Sequence, residues 1–88
     1  MLIGQVINPV VCDAAIPELR GLPLVTVAIE TVDASPRLMV AVDVVGAGVG
    51  ANVLIAEGDA ARLAVRNLSA PIEAAVVGLV RGSTNVQS

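Results

Sequence analysis

The sequence predicts an all-β domain of about five short strands, a barrel or a sandwich, with one or two short helical turns. Three observations carry that prediction. Short apolar runs rich in Val and Ile are broken by Pro or Gly at intervals of roughly ten to fifteen residues, the punctuation of short strands and tight connections. The stretch from Leu24 to Glu30 alternates, with Val25, Val27 and Ile29 on one face and Thr26, Ala28 and Glu30 on the other, the period of a half-buried strand. Between Asp43 and Ile55, three alternate glycines, Gly46, Gly48 and Gly50, separate two β-branched segments. That pattern reads as strand, tight loop and strand, because glycine takes φ > 0 without a Cβ penalty.

The elements follow in order. The first strand is expected from Leu2 to about Val11, with Pro9 at an edge position or a bend, since proline cannot donate to a central ladder. Asp13 to Pro23 reads as a loop carrying Pro17, Gly21 and Pro23, and Leu24 to Glu30 is the second strand. A turn around Asp33-Ala34-Ser35-Pro36-Arg37 leads to a third strand, Leu38 to Val45. On it the bulkier set Leu38, Val40, Val42 and Val44 is assigned to the core and Met39, Ala41 and Asp43 to the opposite face. That opposite face carries mostly small or apolar residues, a surface expected to be covered by another subunit. After the glycine loop comes a fourth strand, Asn52 to Ala56. Gly58 to Ala64 is a short helical turn with Asp59 as the expected N-cap. Ser69 to Ala75 is a second one, with Pro71 in its first turn and Glu73 near the positive end of its dipole. The last strand is Val76 to Arg81. Residues 1–82 form a single domain, and 83–88 are a polar tail, mobile or laid as an arm on a neighbour.

Eighty-eight residues make a domain that buries only about 60–65% of the surface its unfolded chain exposes. Yet 56% of the residues are hydrophobic, so apolar surface is left for subunit contacts. Asp43, Glu57 and Glu30, with several Pro and Gly, interrupt every run short of the roughly 18 apolar residues of a membrane span. Met1-Leu2-Ile3-Gly4-Gln5-Val6-Ile7 lacks the basic region and cleavage site of a secretory signal. The single cysteine, Cys12, fits a reducing cytosol and the role of a small apolar residue.

The side chains present exclude most chemistry. No His, Lys or Tyr occurs and there is one Cys, which removes most general acids, bases and covalent nucleophiles and leaves no zinc ligand set within one chain. The eight acidic residues are scattered singly, as solvated or capping groups are. No enzymatic activity, cofactor or metal is expected. Gly46-Ala47-Gly48 opens like a dinucleotide fingerprint, but position 51 is Ala51 and the following residues pattern as a strand, so no helix N-terminus is offered to a pyrophosphate. A net charge of −3, no lysine and no aromatic residue argue against a nucleic-acid partner, which needs a basic footprint or stacking platforms. For the glycine loop, Gly46, Ala47, Gly48, Val49 and Gly50, the readings are a local strand connection or a subunit interface or pore loop where small residues permit close approach.

Several stretches, in the right order and at the expected separations, resemble the EutN/CcmL family of pentameric vertex proteins of bacterial microcompartment shells. They are Met1-Leu2-Ile3-Gly4-Gln5-Val6, then Leu19-Arg20-Gly21-Leu22-Pro23-Leu24, then Val40-Ala41-Val42-Asp43 running into Gly46-Ala47-Gly48-Val49-Gly50 and Asn52-Val53-Leu54-Ile55. Ala60-Ala61-Arg62 and the ending Pro71-Ile72-Glu73-Ala74-Ala75-Val76-Val77-Gly78-Leu79-Val80 complete the set. Pro23 and Gln5 stand where the family often has lysine, and Ala51 where a glutamate commonly follows the loop, so roles for charge at those positions do not transfer. The resemblance implies an OB-like β-barrel, five copies of which form a truncated pyramid. It also implies a cytoplasmic place in a microcompartment shell, contact with hexameric and pseudohexameric shell proteins, and no membrane partner. The competing reading is an OB-fold binding module for a small ligand or nucleic acid.

Overall fold

The computed structural model describes residues 1–11, 17–31 and 35–81. The expectations for Cys12, for Asp33 and Ala34 of the turn, and for the 83–88 tail lie outside these residues. Five strands, β1 (Leu2–Val10), β2 (Leu24–Ile29), β3 (Arg37–Asp43), β4 (Asn52–Glu57) and β5 (Ala74–Leu79), close into a barrel in the order β1-β2-β3-β5-β4. All pairings are antiparallel except β3 with β5, which is parallel and covers only Val42↔Ala75 and Asp43↔Val76. This is the small Greek-key barrel of OB type. One α-helix, α1 (Gly58–Ala64), joins β4 to β5, and a 3₁₀ turn spans Pro17–Leu19.

β1 pairs with β4 through Leu2 to Gln5 and with β2 through Gly4 to Val10. Pro9 therefore lies beyond the reach of β4, and its missing N–H costs no ladder bond, as the edge reading requires. Between Val6 and Asn8 the register with β2 shifts, leaving Ile7 as the extra residue of a bulge, which sharpens the strand's coil around so narrow a barrel.

Val6, Val25, Val27, Ile29, Ala41, Val53, Ile55, Ala74 and Val76 fill the barrel, with Leu2 and Met39 partly buried against them. The alternation of β2 is borne out: Val25, Val27 and Ile29 are its buried set. The assignment of β3 is corrected. Met39 and Ala41 pack into the barrel, whereas Leu38 and Val40 are 62% and 52% exposed. Bulk misled the assignment, because the interior of a five-stranded barrel accepts few large side chains per layer. Val42 is also on the outer face, but there it is buried in a second cluster with Ala56, Ala61, Ala70, Ile72 and Ala75, the layer formed by α1 and the chain leading into β5.

The second predicted helix, Ser69 to Ala75, does not form. Ser69 N–H bonds to the Asn67 Oδ1 and Ala70 N–H to the Asn67 carbonyl, both at 3.0 Å, closing a turn. Ala74 and Ala75 are taken into β5 by pairing with Glu57 and Ala56, so β5 starts two residues earlier than expected. Long-range pairing here overrides the helix propensity of alanine. Asp59 is not the cap of α1 either: Glu57 occupies the N-cap position without a side-chain cap bond, and Asp59 lies inside the first turn, bonded to Arg62 at 2.8 Å. The helix ends without glycine. Arg66 adopts φ 60°, its N–H reaching Leu63 O and that of Asn67 reaching Arg62 O at 2.9 and 3.0 Å, a Schellman closure. Arg62 also donates to Ile72 O at 2.8 Å, tying α1 to the outer cluster.

Ile55 is fully buried, so Ile55→Ala is expected to lower stability by about 2–5 kcal/mol, measured by urea denaturation followed by far-UV circular dichroism at fixed chain concentration. A Cβ at Gly4 would stand 2.6 Å from the Ala28 carbonyl oxygen, whereas one at Gly78 meets only the Leu54 Cβ at 3.8 Å. Gly4→Ala is therefore expected to lower the denaturation midpoint and Gly78→Ala to leave it unchanged.

Candidate functional site

The glycine loop begins at the end of β3. Asp43 is 8% exposed, and its Oδ1 accepts from the N–H groups of Val45 (3.1 Å) and Gly46 (2.9 Å). Its own N–H donates to Pro23 O at 2.8 Å. A buried carboxylate paired with two main-chain donors fixes the exit direction of the chain, since an unpaired one would be costly.

The loop returns against β1. Gly50 N–H donates to Val6 O at 2.8 Å, Val6 N–H donates to Ala51 O at 3.0 Å, and Ala51 N–H closes a turn on Gly48 O at 3.0 Å. Gln5 Nε2 adds a bond to Gly50 O at 3.0 Å. An amide at position 5 thus supports the loop without charge. Ala47 and Ala51 pack on the barrel core, while Val49 is 67% exposed at the tip.

The three glycines are not equivalent. Gly46 and Gly50 have φ of 72° and 90°, which accounts for glycine there. Gly48 has no positive φ, and a Cβ on it would meet nothing within 4 Å. Among the described residues nothing requires glycine at 48. The loop residues Gly46 to Gly50 are brought together on one rim, beside the start of β2 and the free end of β1, where Pro9, Val10, Pro23, Ala47, Gly48 and Val49 border a groove of about 410 Å³.

A second surface was only half visible in the sequence. Leu38 and Val40 on the outer face of β3, Val44 and Val45 after it, and Leu79 at the end of β5 are all exposed. Three acidic side chains are engaged apart from one another: Glu57 faces Arg37 at 3.7 Å, Asp59 faces Arg62, and Asp43 caps the loop. Among the described residues no group of three or more His, Cys, Asp or Glu is placed to hold a metal ion.

A closed β-barrel with a bound-in glycine loop and exposed apolar side chains on β3 and β5 defines the class of small OB-type barrel domains. The chain belongs to the EutN/CcmL family: residues 1–80 match the family model described as ethanolamine utilisation protein EutN/carboxysome. It is 39% identical over 90 residues to the carboxysome shell vertex protein CcmL of Synechocystis sp., covering 100% of this chain and 89% of that protein. It is also 39% identical over 82 residues to the bacterial microcompartment shell vertex protein GrpN of Rhodospirillum rubrum, covering 91% and 92%. Among solved structures, CcmL of Nostoc sp. superposes with a TM-score of 0.83 at 34% identity, covering 96% and 93% of the two chains. The GrpN pentameric microcompartment shell protein from Rhodospirillum rubrum superposes with 0.80 at 38% identity, covering 98% and 100%.

Two sets of variants test the loop's construction. Asp43→Ala removes the acceptor of two main-chain bonds and is expected to cost about 1–3 kcal/mol, with Asp43→Asn milder because one oxygen remains. Gly50→Val is expected to cost about 1–3 kcal/mol through its positive φ, while Gly48→Val leaves subunit stability within about 0.5 kcal/mol. Denaturation midpoints of the purified variants distinguish them.

Proposed function

We propose that the chain is a structural shell protein that forms a closed homopentamer and caps the vertices of a polyhedral bacterial microcompartment in the cytoplasm. The observation that carries this reading is the exposed apolar face of β3, Leu38 and Val40, on a barrel whose interior is already full. Side chains of this kind on a small domain mark a contact surface. The relatives supply its kind: two are named shell vertex proteins, and a solved one is described as a pentameric microcompartment shell protein.

The mechanism is geometric. A layer of hexameric tiles stays flat, and a closed polyhedron requires fivefold points. A cyclic pentamer supplies one, with its outer edges meeting hexameric and pseudohexameric shell proteins. Cyclic rings use heterologous interfaces, in which one patch meets a different patch on the next copy, and closure halts open-ended growth. The glycine loop, Gly46 to Gly50, belongs in this reading to the subunit contacts or the axial opening. Its support is that Gly48 is small without any need inside the subunit, as expected where another copy approaches.

Native mass spectrometry of the purified protein tests the proposal. A single species near 44 kDa, five times the 8.8 kDa chain mass, is expected, and a monomer at every accessible concentration overturns it. Gly48→Val is expected to reduce pentamer yield without altering the far-UV circular dichroism of the subunit. Unchanged pentamer yield and shell closure removes the loop from the contact.

A further inference from the structure

We infer that neighbouring copies are joined by strand pairing, the free edge of β3 in one copy running along the free edge of β5 in the next. This rests on the pentamer proposed above and names the surfaces that close it.

The edges follow from the hydrogen-bond alternation. Asp43 N–H donates to Pro23 O on the β2 side of β3, and Val44 N–H donates to Val76 O on the β5 side. The register of β3 with β2 is unbroken from Arg37 to Val42, so the main-chain groups of Leu38 and Val40 face the β5 side. There β5 reaches only Val42 and Asp43. Among the described residues, no main-chain bond crosses to Leu38 or Val40 from that side. On β5, Val80 N–H donates to Asn52 O of β4, so by the same alternation the main-chain groups of Leu79 face away from β4. β3 has by then ended at Asp43, leaving them without a strand beside them among the described residues.

The parallel seam thus leaves two uncovered edges in every copy, one below it and one above. Natural barrels blunt such edges with proline, charge or bulges, and the free half of β1 does carry Pro9. Between Leu38 and Ala41, and from Val77 to Val80, there is neither proline nor charge. Leu38, Val40 and Leu79 are exposed beside these edges at 62%, 52% and 44%. Polar main chain and apolar side chains therefore both await cover in the same places. A paired strand covers both at once, and a groove of about 250 Å³ beside Val40, Val42, Leu24, Pro71 and Ile72 stands ready for a side chain from it.

A second copy is the occupant that satisfies the whole pattern. A foreign peptide added to one edge leaves the other open, whereas a ring consumes one edge of each kind per copy. That is what a heterologous closed interface demands of its two patches.

Cysteine pairs test the pairing in a Cys12→Ser background, which removes the sole native thiol. Leu38→Cys with Leu79→Cys, and separately Val40→Cys with Leu79→Cys, cover adjacent registers. Mild oxidation is expected to give a ladder of covalent multimers up to five chains on a denaturing gel from at least one pair, and none from the single variants. Val40→Pro removes an N–H that has no partner among the described residues. It is expected to keep the far-UV spectrum and raise the concentration for half-assembly by about tenfold, the equivalent of one lost hydrogen bond; Val40→Ala, which keeps the N–H, separates this from side-chain loss. A 44 kDa pentamer that neither cross-links in either register nor responds to Val40→Pro overturns the pairing and leaves the vertex reading intact. A parent chain that stays monomeric overturns both.

Discussion

The two-residue parallel seam between β3 and β5 is the constraint on which the rest of the molecule depends. It closes the barrel, and together with the register of β3 on β2 it fixes which side of β3 faces inward. Small Ala41 goes in, with Met39 partly buried beside it on the same face, and Leu38 and Val40 are turned out. The seam ends at Asp43, whose buried carboxylate then sets the path of the glycine loop. Its brevity also splits the outer surface. Over Val42 the helix and the 70–72 stretch cover β3 and make a second small core; over Leu38 and Val40 no described residue does.

That division explains how so apolar a chain can be a discrete small domain. Interior layers built from Val, Ile and Ala saturate quickly, and each further apolar side chain must lie outside. At roughly 25 cal/mol per Å², covering those side chains between copies adds a driving force to a domain whose own core is small. In a ring the last copy to join makes two contacts for a single loss of translational freedom, so the closed assembly is favoured over shorter arcs.

Much of this was legible from residue order. Strand number, the β2 alternation, the edge placement of Pro9 and the strand-loop-strand around the glycines all follow from local backbone chemistry, and the structure agrees. The failures have one origin. On β3 and over 69–75 the deciding interactions are long-range, and a single sequence gives no view of them. Bulk suggested the wrong inward face for β3, since the width of the closed barrel cannot be read from one strand. Alanine and a well-placed proline suggested a helix where pairing with β4 claims the chain. Arg66 carries a left-handed C-cap that only glycine or asparagine would have signalled. For the loop, sequence gave three equal glycines, and geometry separates two that are needed for backbone path from one that is not.

The loop is held almost entirely by main-chain atoms, Val6 on one side and its own turn on the other, with Asp43 and Gln5 the side chains that join the frame among the described residues. Ala47, Gly48 and Val49 lie between those anchors and contribute no hydrogen-bonding side chain to them. Sequence drift at the tip is therefore cheap for the fold, and the polarity and charge of residues 47–49 can change while the barrel beneath is unchanged. The same separation makes residues 47–49 a place to graft new side chains onto a fixed frame.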